Sequence, residues 1–337
     1  MLNIGIIGAG RIGKVHAESI TYHVKDAVVA AIADPFMNEA TKSWAQGLGI
    51  QKIYTNYHEI LNDANIHAVL ICSSTDTHAD ISIEAIKANK HVFCEKPISQ
   101  DLSKIKEVME ALKGSGIKYQ VGFNRRFDHN FEAVRNAVAE GKIGDVHIVK
   151  VTSRDPDAPP IEYVKVSGGM FLDMTIHDFD MVRYLTSSDV VEVYANGTSL
   201  VNPAISEAGD IDTAIITMKL SNGALAVIDN SRKAEYGYDQ RAEVFGSKGQ
   251  VAVSNDSEST AVISTASGVT GEKPLYFFLE RYMASFSKEI SLFVQAILKD
   301  TEVPVNINDG LQPVLIAKAA KKSLDENRPV LLSEIVM

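Results

Sequence analysis

The sequence predicts an α/β protein in two domains. The first is a parallel sheet wrapped by helices, and the second is an α+β domain built on an open, mostly antiparallel sheet. Three observations carry this. Short apolar runs alternate with helical patterns over the first third of the chain. A glycine-rich turn follows the first apolar run directly. After residue 123 the pattern changes to longer alternating runs, and 337 residues exceed what a single hydrophobic core usually supports. The expected boundaries are 1–123 and 124–337.

In order, strands are predicted at 3–7, 28–33, 52–54, 68–72, 91–94 and 119–122, with 52–54 the weakest of the six. Helices are predicted between them near 12–22, 37–47, 78–88 and 101–113. In the second domain a helix is expected near 128–139, a strand at 146–152 and an irregular stretch around Pro156, Pro159 and Pro160. One continuous helix follows at 171–186. Alternating runs at 190–199, 211–219, 223–230 and 241–254 read as strands. The segment LSNGALAVI places Asn-Gly between two of them, a strong hairpin signal. Two helical patterns, near 280–299 and 308–326, close the chain.

Composition narrows the function. Hydrophobic residues make up 45% of the chain and charged residues 23%, as in an ordinary globular protein. A formal net charge of −10 argues against a general nucleic-acid binder, which needs clustered Lys and Arg to neutralise phosphates. Two cysteines, Cys72 and Cys94, make no disulfide framework, so a reducing cytoplasm is the expected setting. The N-terminal run is too short for a membrane span and lacks a basic leader, so no membrane partner is expected.

The first chemistry-bearing motif is GAGRIG at 8–13, in which Gly8, Gly10 and Gly13 form G-x-G-x-x-G. Gly8 would permit the tight turn, Gly10 the close approach of backbone to a pyrophosphate, and Gly13 the packing of helix on strand. The helix after the turn offers free N–H groups and a partial positive charge to the anion. A plain strand-to-helix turn would look the same in isolation, but here an apolar strand precedes and a helical pattern succeeds it. Asp34 ends the second strand about 20 residues further on, where a carboxylate can accept both ribose hydroxyls and repels a 2′-phosphate. NAD is therefore expected over NADP. The plainer alternative is that Asp34 opens a turn before Pro35.

Two further sites suggest chemistry. HVFCEKP at 91–97 ends a buried strand in Glu95 and Lys96, and ligands in open α/β sheets lie beyond the carboxyl ends of strands. Lys96 there could stabilise developing oxyanion charge; otherwise it is a solvated lysine at a strand end. Asp173 and His177 stand four apart and share a face of the expected helix, with Leu172, Ile176, Phe179 and Val182 on the apolar side. His177 suits proton transfer near neutral pH, and the carboxylate one turn away could orient it or bind a hydroxyl. Alternatively Asp173 is an N-cap and His177 a satisfied core residue. Asp173, His177 and Asp178 could also ligate a metal, but no second cluster stands out and no metal is expected. Asn124, Arg126, Arg154, Asp155 and Tyr236 follow or precede strands and could complete a polar pocket, or serve as ordinary surface and structural groups.

These pieces together resemble the Gfo/Idh/MocA oxidoreductases, a family that includes inositol dehydrogenases. The matching segments are GAGRIG at 8–13, Asp34, SSTDTHAD at 73–80, EKP at 95–97, GFNRRFD at 122–128 and GGMFLDMTIHDFDMVRYL at 168–185. The last is closest to the inositol 2-dehydrogenase branch. The resemblance implies a metal-free site with NAD held by Gly8, Gly10, Arg11, Ile12, Gly13, Asp34, Ser73, Ser74, Thr75, His78, Glu95 and Lys96. It implies catalysis by Lys96, Asp173 and His177, and a small polyol bound by Asn124, Arg126, Arg154, Asp155, Asp173, His177 and Tyr236. The reaction implied is oxidation of myo-inositol to its 2-ketone. A homotetramer formed through the second-domain sheet is also expected. Two rivals remain: an NAD enzyme for another inositol isomer or an aldose, and a non-catalytic NAD-sensing regulator.

Overall fold

The computed structural model describes residues 1–336. They group into two units, one formed by Met1–Phe127 with Met283–Val314, the other by Asp128–Tyr282 with Leu315–Val336.

Through residue 127 the chain alternates strand and helix: β1 (Leu2–Ile7), α1 (Arg11–His23), β2 (Ala27–Ala33), α2 (Glu39–Gly47), β3 (Lys52–Tyr54), α3 (His58–Leu61), β4 (Ala68–Ile71), α4 (His78–Lys87), β5 (His91–Glu95), α5 (Leu102–Leu112) and β6 (Tyr119–Gly122). The sheet order is β3-β2-β1-β4-β5-β6 and every pairing is parallel. Strands buried on both faces should be apolar throughout, and all four residues of β4, AVLI, are buried. The strand order reverses between β1 and β4. That reversal opens a crevice beyond the carboxyl ends of the strands, the usual ligand position in such sheets.

The next segment holds α6 (His129–Ala139), β7 (Val146–Arg154), α7 (Ile161–Val164), α8 (Met170–Asp173), α9 (Ile176–Thr186), β8 (Val190–Thr198), α10 (Pro203–Glu207), β9 (Thr213–Leu220), β10 (Leu225–Ser231), β11 (Asp239–Gly246), β12 (Gly249–Val253), β13 (Val262–Thr265), β14 (Gly268–Gly271) and α11 (Phe278–Arg281). Then come α12 (Met283–Leu298), α13 (Ile307–Glu326) and β15 (Val330–Leu331). The second unit's seven-stranded sheet runs β12-β11-β7-β10-β9-β8-β15, antiparallel except between β7 and β10. Alternation sets its two faces: in β9, Ala214, Ile216, Met218 and Leu220 are buried while Ile215, Thr217 and Lys219 point outward. The helices α6 and α9 cover the buried face. Gly223, at φ +88, turns the β9–β10 hairpin as the Asn-Gly pair foretold.

Three expectations need correction. The helix expected over 171–186 is two helices, α8 and α9, broken at Met174 and Thr175. The run at 241–254 is the hairpin β11–β12, reversed between Gly246 and Gly249, because glycines there let the chain fold back. The third concerns the single second domain expected over 124–337. Residues 283–314 return to the first unit, where Ile290, Phe293 and Val294 of α12 join the core formed by Leu2, Ile4, Ile6, Ile20 and Phe93. Among the described residues, no helix is long and apolar enough to cross a membrane.

Candidate active site

The turn between β1 and α1 fits a dinucleotide. Gly8 has φ +103, and a Cβ on it would stand 2.5 Å from the Cys72 carbonyl oxygen. A Cβ on Gly13 would stand 1.9 Å from the Gly8 carbonyl oxygen, so only glycine lets the helix close on the strand. A Cβ on Gly10, by contrast, would meet nothing within 4 Å. That open ground over the start of α1 is the space a pyrophosphate needs. Asp34 braces the same turn: Ala9 N–H donates to its Oδ2 at 2.7 Å and Phe36 N–H to its Oδ1 at 2.8 Å. Each oxygen keeps a lone pair for a ribose hydroxyl. Arg11 is exposed and Ile12 half-buried beside the glycines.

The loops after β4 and β5 flank this turn. Ser73 Oγ lies 2.7 Å from Thr77 Oγ1, Ser74 is exposed and Thr75 half-buried. His78 differs from expectation in posture. It is 2% exposed, with Nδ1 2.8 Å from the Pro97 carbonyl oxygen and Nε2 3.1 Å from that of Ser73. Two acceptors call for two N–H donors, so the ring is an imidazolium that ties the loops together rather than offering a nitrogen to a ligand. Burial works against that charge, but Cys94 and the two carbonyls outweigh it and push the pKa up to about 9. Glu95 likewise faces inward, 2.7 Å from His16 Nε2 and packed over Gly122. Lys96 comes next at half-exposure, joined to Pro97 by a cis peptide. Asn124 is buried, and Arg126 pairs with Asp309 at 3.1 Å within the same unit.

In the second unit Asp173 is the last residue of α8 and His177 the second of α9. Asp173 Oδ1 accepts from Tyr163 Oη at 2.7 Å, and its Oδ2 lies 2.8 Å from Arg232 Nη1. Asp155 stands 3.8 Å from the same guanidinium. Arg232 is 3% exposed, so this is a buried acid–base–acid group. Below it, Thr175 Oγ1 donates to Asn230 Oδ1 at 2.6 Å, and Asn230 Nδ2 donates to Asp178 Oδ2 at 2.9 Å. These bonds pin the start of α9, and so the backbone of His177, to β10.

The structure does not bring Arg154 and Tyr236 into that group. Arg154 lies on the outward face of β7, bonded to Asp229 at 2.8 Å and to Tyr236 Oη at 3.0 Å. Tyr236 in turn donates to Asp239 Oδ2 at 2.5 Å. Ser153, Asn230 and Gln240 occupy the opposite face, where α9 packs.

Sequence reasoning missed Arg232, Tyr163, Asn230 and His16. Arg232 carried a usable signal, a cation one residue past a strand, as Lys96 is. His16 lies three residues after Gly13 in α1, on the face that turns inward.

Comparison with known proteins places the chain. Residues 2–123 match an oxidoreductase family described by its NAD-binding Rossmann fold, and residues 131–252 match the GFO/IDH/MocA C-terminal domain. An uncharacterized oxidoreductase of Bacillus subtilis is 51% identical, covering 97% of this chain and 95% of its own. Myo-inositol 2-dehydrogenase of Thermotoga maritima is 47% identical, covering 99% and 100%. The crystal structure of scyllo-inositol dehydrogenase from Lactobacillus casei, with bound NAD(H) and scyllo-inositol, superposes with a TM-score of 0.92 at 31% identity, covering 99% of both chains.

Proposed function

This chain belongs to the GFO/IDH/MocA oxidoreductase family, and from that premise we propose that it is an NAD-dependent inositol 2-dehydrogenase acting on myo-inositol. The observation that carries the substrate is the 47% identity, over the full length of both chains, to the Thermotoga myo-inositol 2-dehydrogenase. The geometry of each unit supports the chemistry. Bound NAD would accept a hydride from the carbinol carbon, leaving the 2-ketone. His177 takes the hydroxyl proton. Lys96 stabilises the negative charge that grows on the same oxygen. Asp173, held by Tyr163 and Arg232, accepts from a neighbouring ring hydroxyl in this reading. Arg232 is balanced by Asp155 and Asp173, so it leaves no clear clamp for a phosphorylated substrate.

Two finer readings belong to this proposal. A homotetramer forms through the outward face of the second unit's sheet, where Ile148, Ile215, Leu225 and Phe245 are 37%, 49%, 51% and 43% exposed. Their register puts all four on one side, and an exposed apolar patch of this kind usually meets a partner. The protein works in the cytoplasm, in keeping with its two free thiols, Cys72 and Cys94.

The test is steady-state kcat/KM with NAD for myo-inositol, scyllo-inositol, D-chiro-inositol and glucose. Myo-inositol should lead, and the proposal fails if it trails another by more than about 100-fold. With the best substrate, Lys96→Ala and His177→Ala should each lower turnover by roughly 100-fold. NAD binding without turnover of any of the four would point to a regulator.

A further inference from the structure

A second polar cluster lies inside the first unit, and none of the roles proposed above needs its deepest member. His16 of α1 is fully buried, with Nε2 2.7 Å from Glu95 Oε1 and the rings of Phe93 and Phe286 edge-on at 5.2 and 5.7 Å. Glu289 enters from α12, also 0% exposed, and neither of its carboxyl oxygens has a hydrogen-bond partner. One polar atom from each of His16, Glu95 and Glu289 lies within 4.8 Å of the other two. Gln120 Nε2 donates to the Glu289 main-chain carbonyl at 3.0 Å, fixing the helix at this point.

A buried carboxylate with no donor is costly, and two carboxylates this close in an apolar site repel each other. One proton relieves both problems. We propose that Glu289 is a carboxylic acid at neutral pH beside the Glu95–His16 pair, and that it is a positioning residue for the end of β5 and hence for Lys96. Burial first, and the charge of Glu95 second, push the Glu289 pKa well above the usual carboxylate range. Around it stand His16 from α1, Glu95 from β5, the Cys72 thiol just past β4 and the neutral amide of Gln120 from β6, and the turn at 124–127 that packs against α12 carries the buried Arg125. Loss of the proton would set Glu289 against Glu95, draw Glu95 from His16 and shift its neighbour in the chain, Lys96.

The activity readout rests on the dehydrogenase reading; the spectroscopic one does not. Infrared spectra of the wild-type protein at neutral pH should show the C=O band of a protonated carboxylic acid. The band should shift in D2O and be absent from Glu289→Gln. In turnover, Glu289→Ala should lower kcat by about tenfold while the KM for NAD holds, a loss equivalent to one decade in rate. Glu289→Gln keeps a neutral donor, so it should restore most of that loss and displace the alkaline limb of the kcat profile. Absence of the acid band from the wild type overturns the proposal. So does an alkaline limb unchanged in Glu289→Gln, or a stoichiometric metal ion found by elemental analysis of the purified protein.

Discussion

The Asp34 carboxylate braces the turn between β1 and α1. Its oxygens already hold the N–H groups of Ala9 and Phe36, and the remaining lone pairs are those a ribose would meet. Asp34→Ser should therefore weaken NAD by tenfold or more, since hydrogen bonds to a charged acceptor are worth about 1.5–3 kcal/mol each. It should also relieve the repulsion of NADP. Dissociation constants for both cofactors check this, and wild-type protein that prefers NADP would refute it. His78 gives a pH dependence with a definite sign. Its pKa rises from 6.5 to about 9 on folding, so its contribution to stability is complete below pH 6.5 and disappears as the pH climbs through 9. A shift of that size corresponds to on the order of 3 kcal/mol. Melting temperatures of the wild type should fall over that window more than those of His78→Gln; parallel curves would rule the imidazolium out. The place of Asp34, just past β2 beside the glycine turn, was legible from a short-range spacing. The imidazolium state of His78 was not, since its two acceptors lie on separate loops that only the sheet brings together.

At the level of elements, the strand-turn-helix start of the chain was readable from local pattern alone, as was the Asn222-Gly223 hairpin. The break between α8 and α9 was not. Residues 170–186 have helical periodicity throughout, and the interruption comes from distant residues: Thr175 bonds Asn230 of β10, and Asp173 bonds Arg232 just beyond it. Asp173 and His177 are thus placed by β10 and Arg232 as much as by their own turn. Asn230→Leu should strip partners from both Thr175 and Asp178, which are fully buried. A loss of about 1–3 kcal/mol is expected, the cost of leaving a buried polar group such as the Thr175 hydroxyl unsatisfied. Urea unfolding measures the loss, and kcat should fall with it while NAD affinity stays. Unchanged kcat would mean that α9 is held by packing alone.

For the whole molecule, the two sheets and their order of appearance were legible in the sequence, because buried parallel strands and half-exposed antiparallel ones differ in period. The return of 283–314 to the first unit left no trace in pattern: α12 reads as an amphipathic helix whichever core it joins. The outward sheet face makes its own prediction. Ile215→Glu with Phe245→Glu should dissociate the proposed tetramer, seen as a fall in mass by light scattering, and a wild-type protein that is already monomeric would dispose of it. The path of α12 also bears on how the protein is made. Its apolar side chains complete the core around β1, which is translated long before it. That strand must wait for almost 300 residues to be synthesised before its core can close. The nascent first unit should stay open and protease-sensitive until that helix emerges, whereas the bulk of the second, Asp128–Tyr282, is made in one stretch and lacks only Leu315–Val336. Stalled chains ending near residue 270 should therefore be cut readily within 1–127, and equal resistance there would show that the unit closes without its last helix.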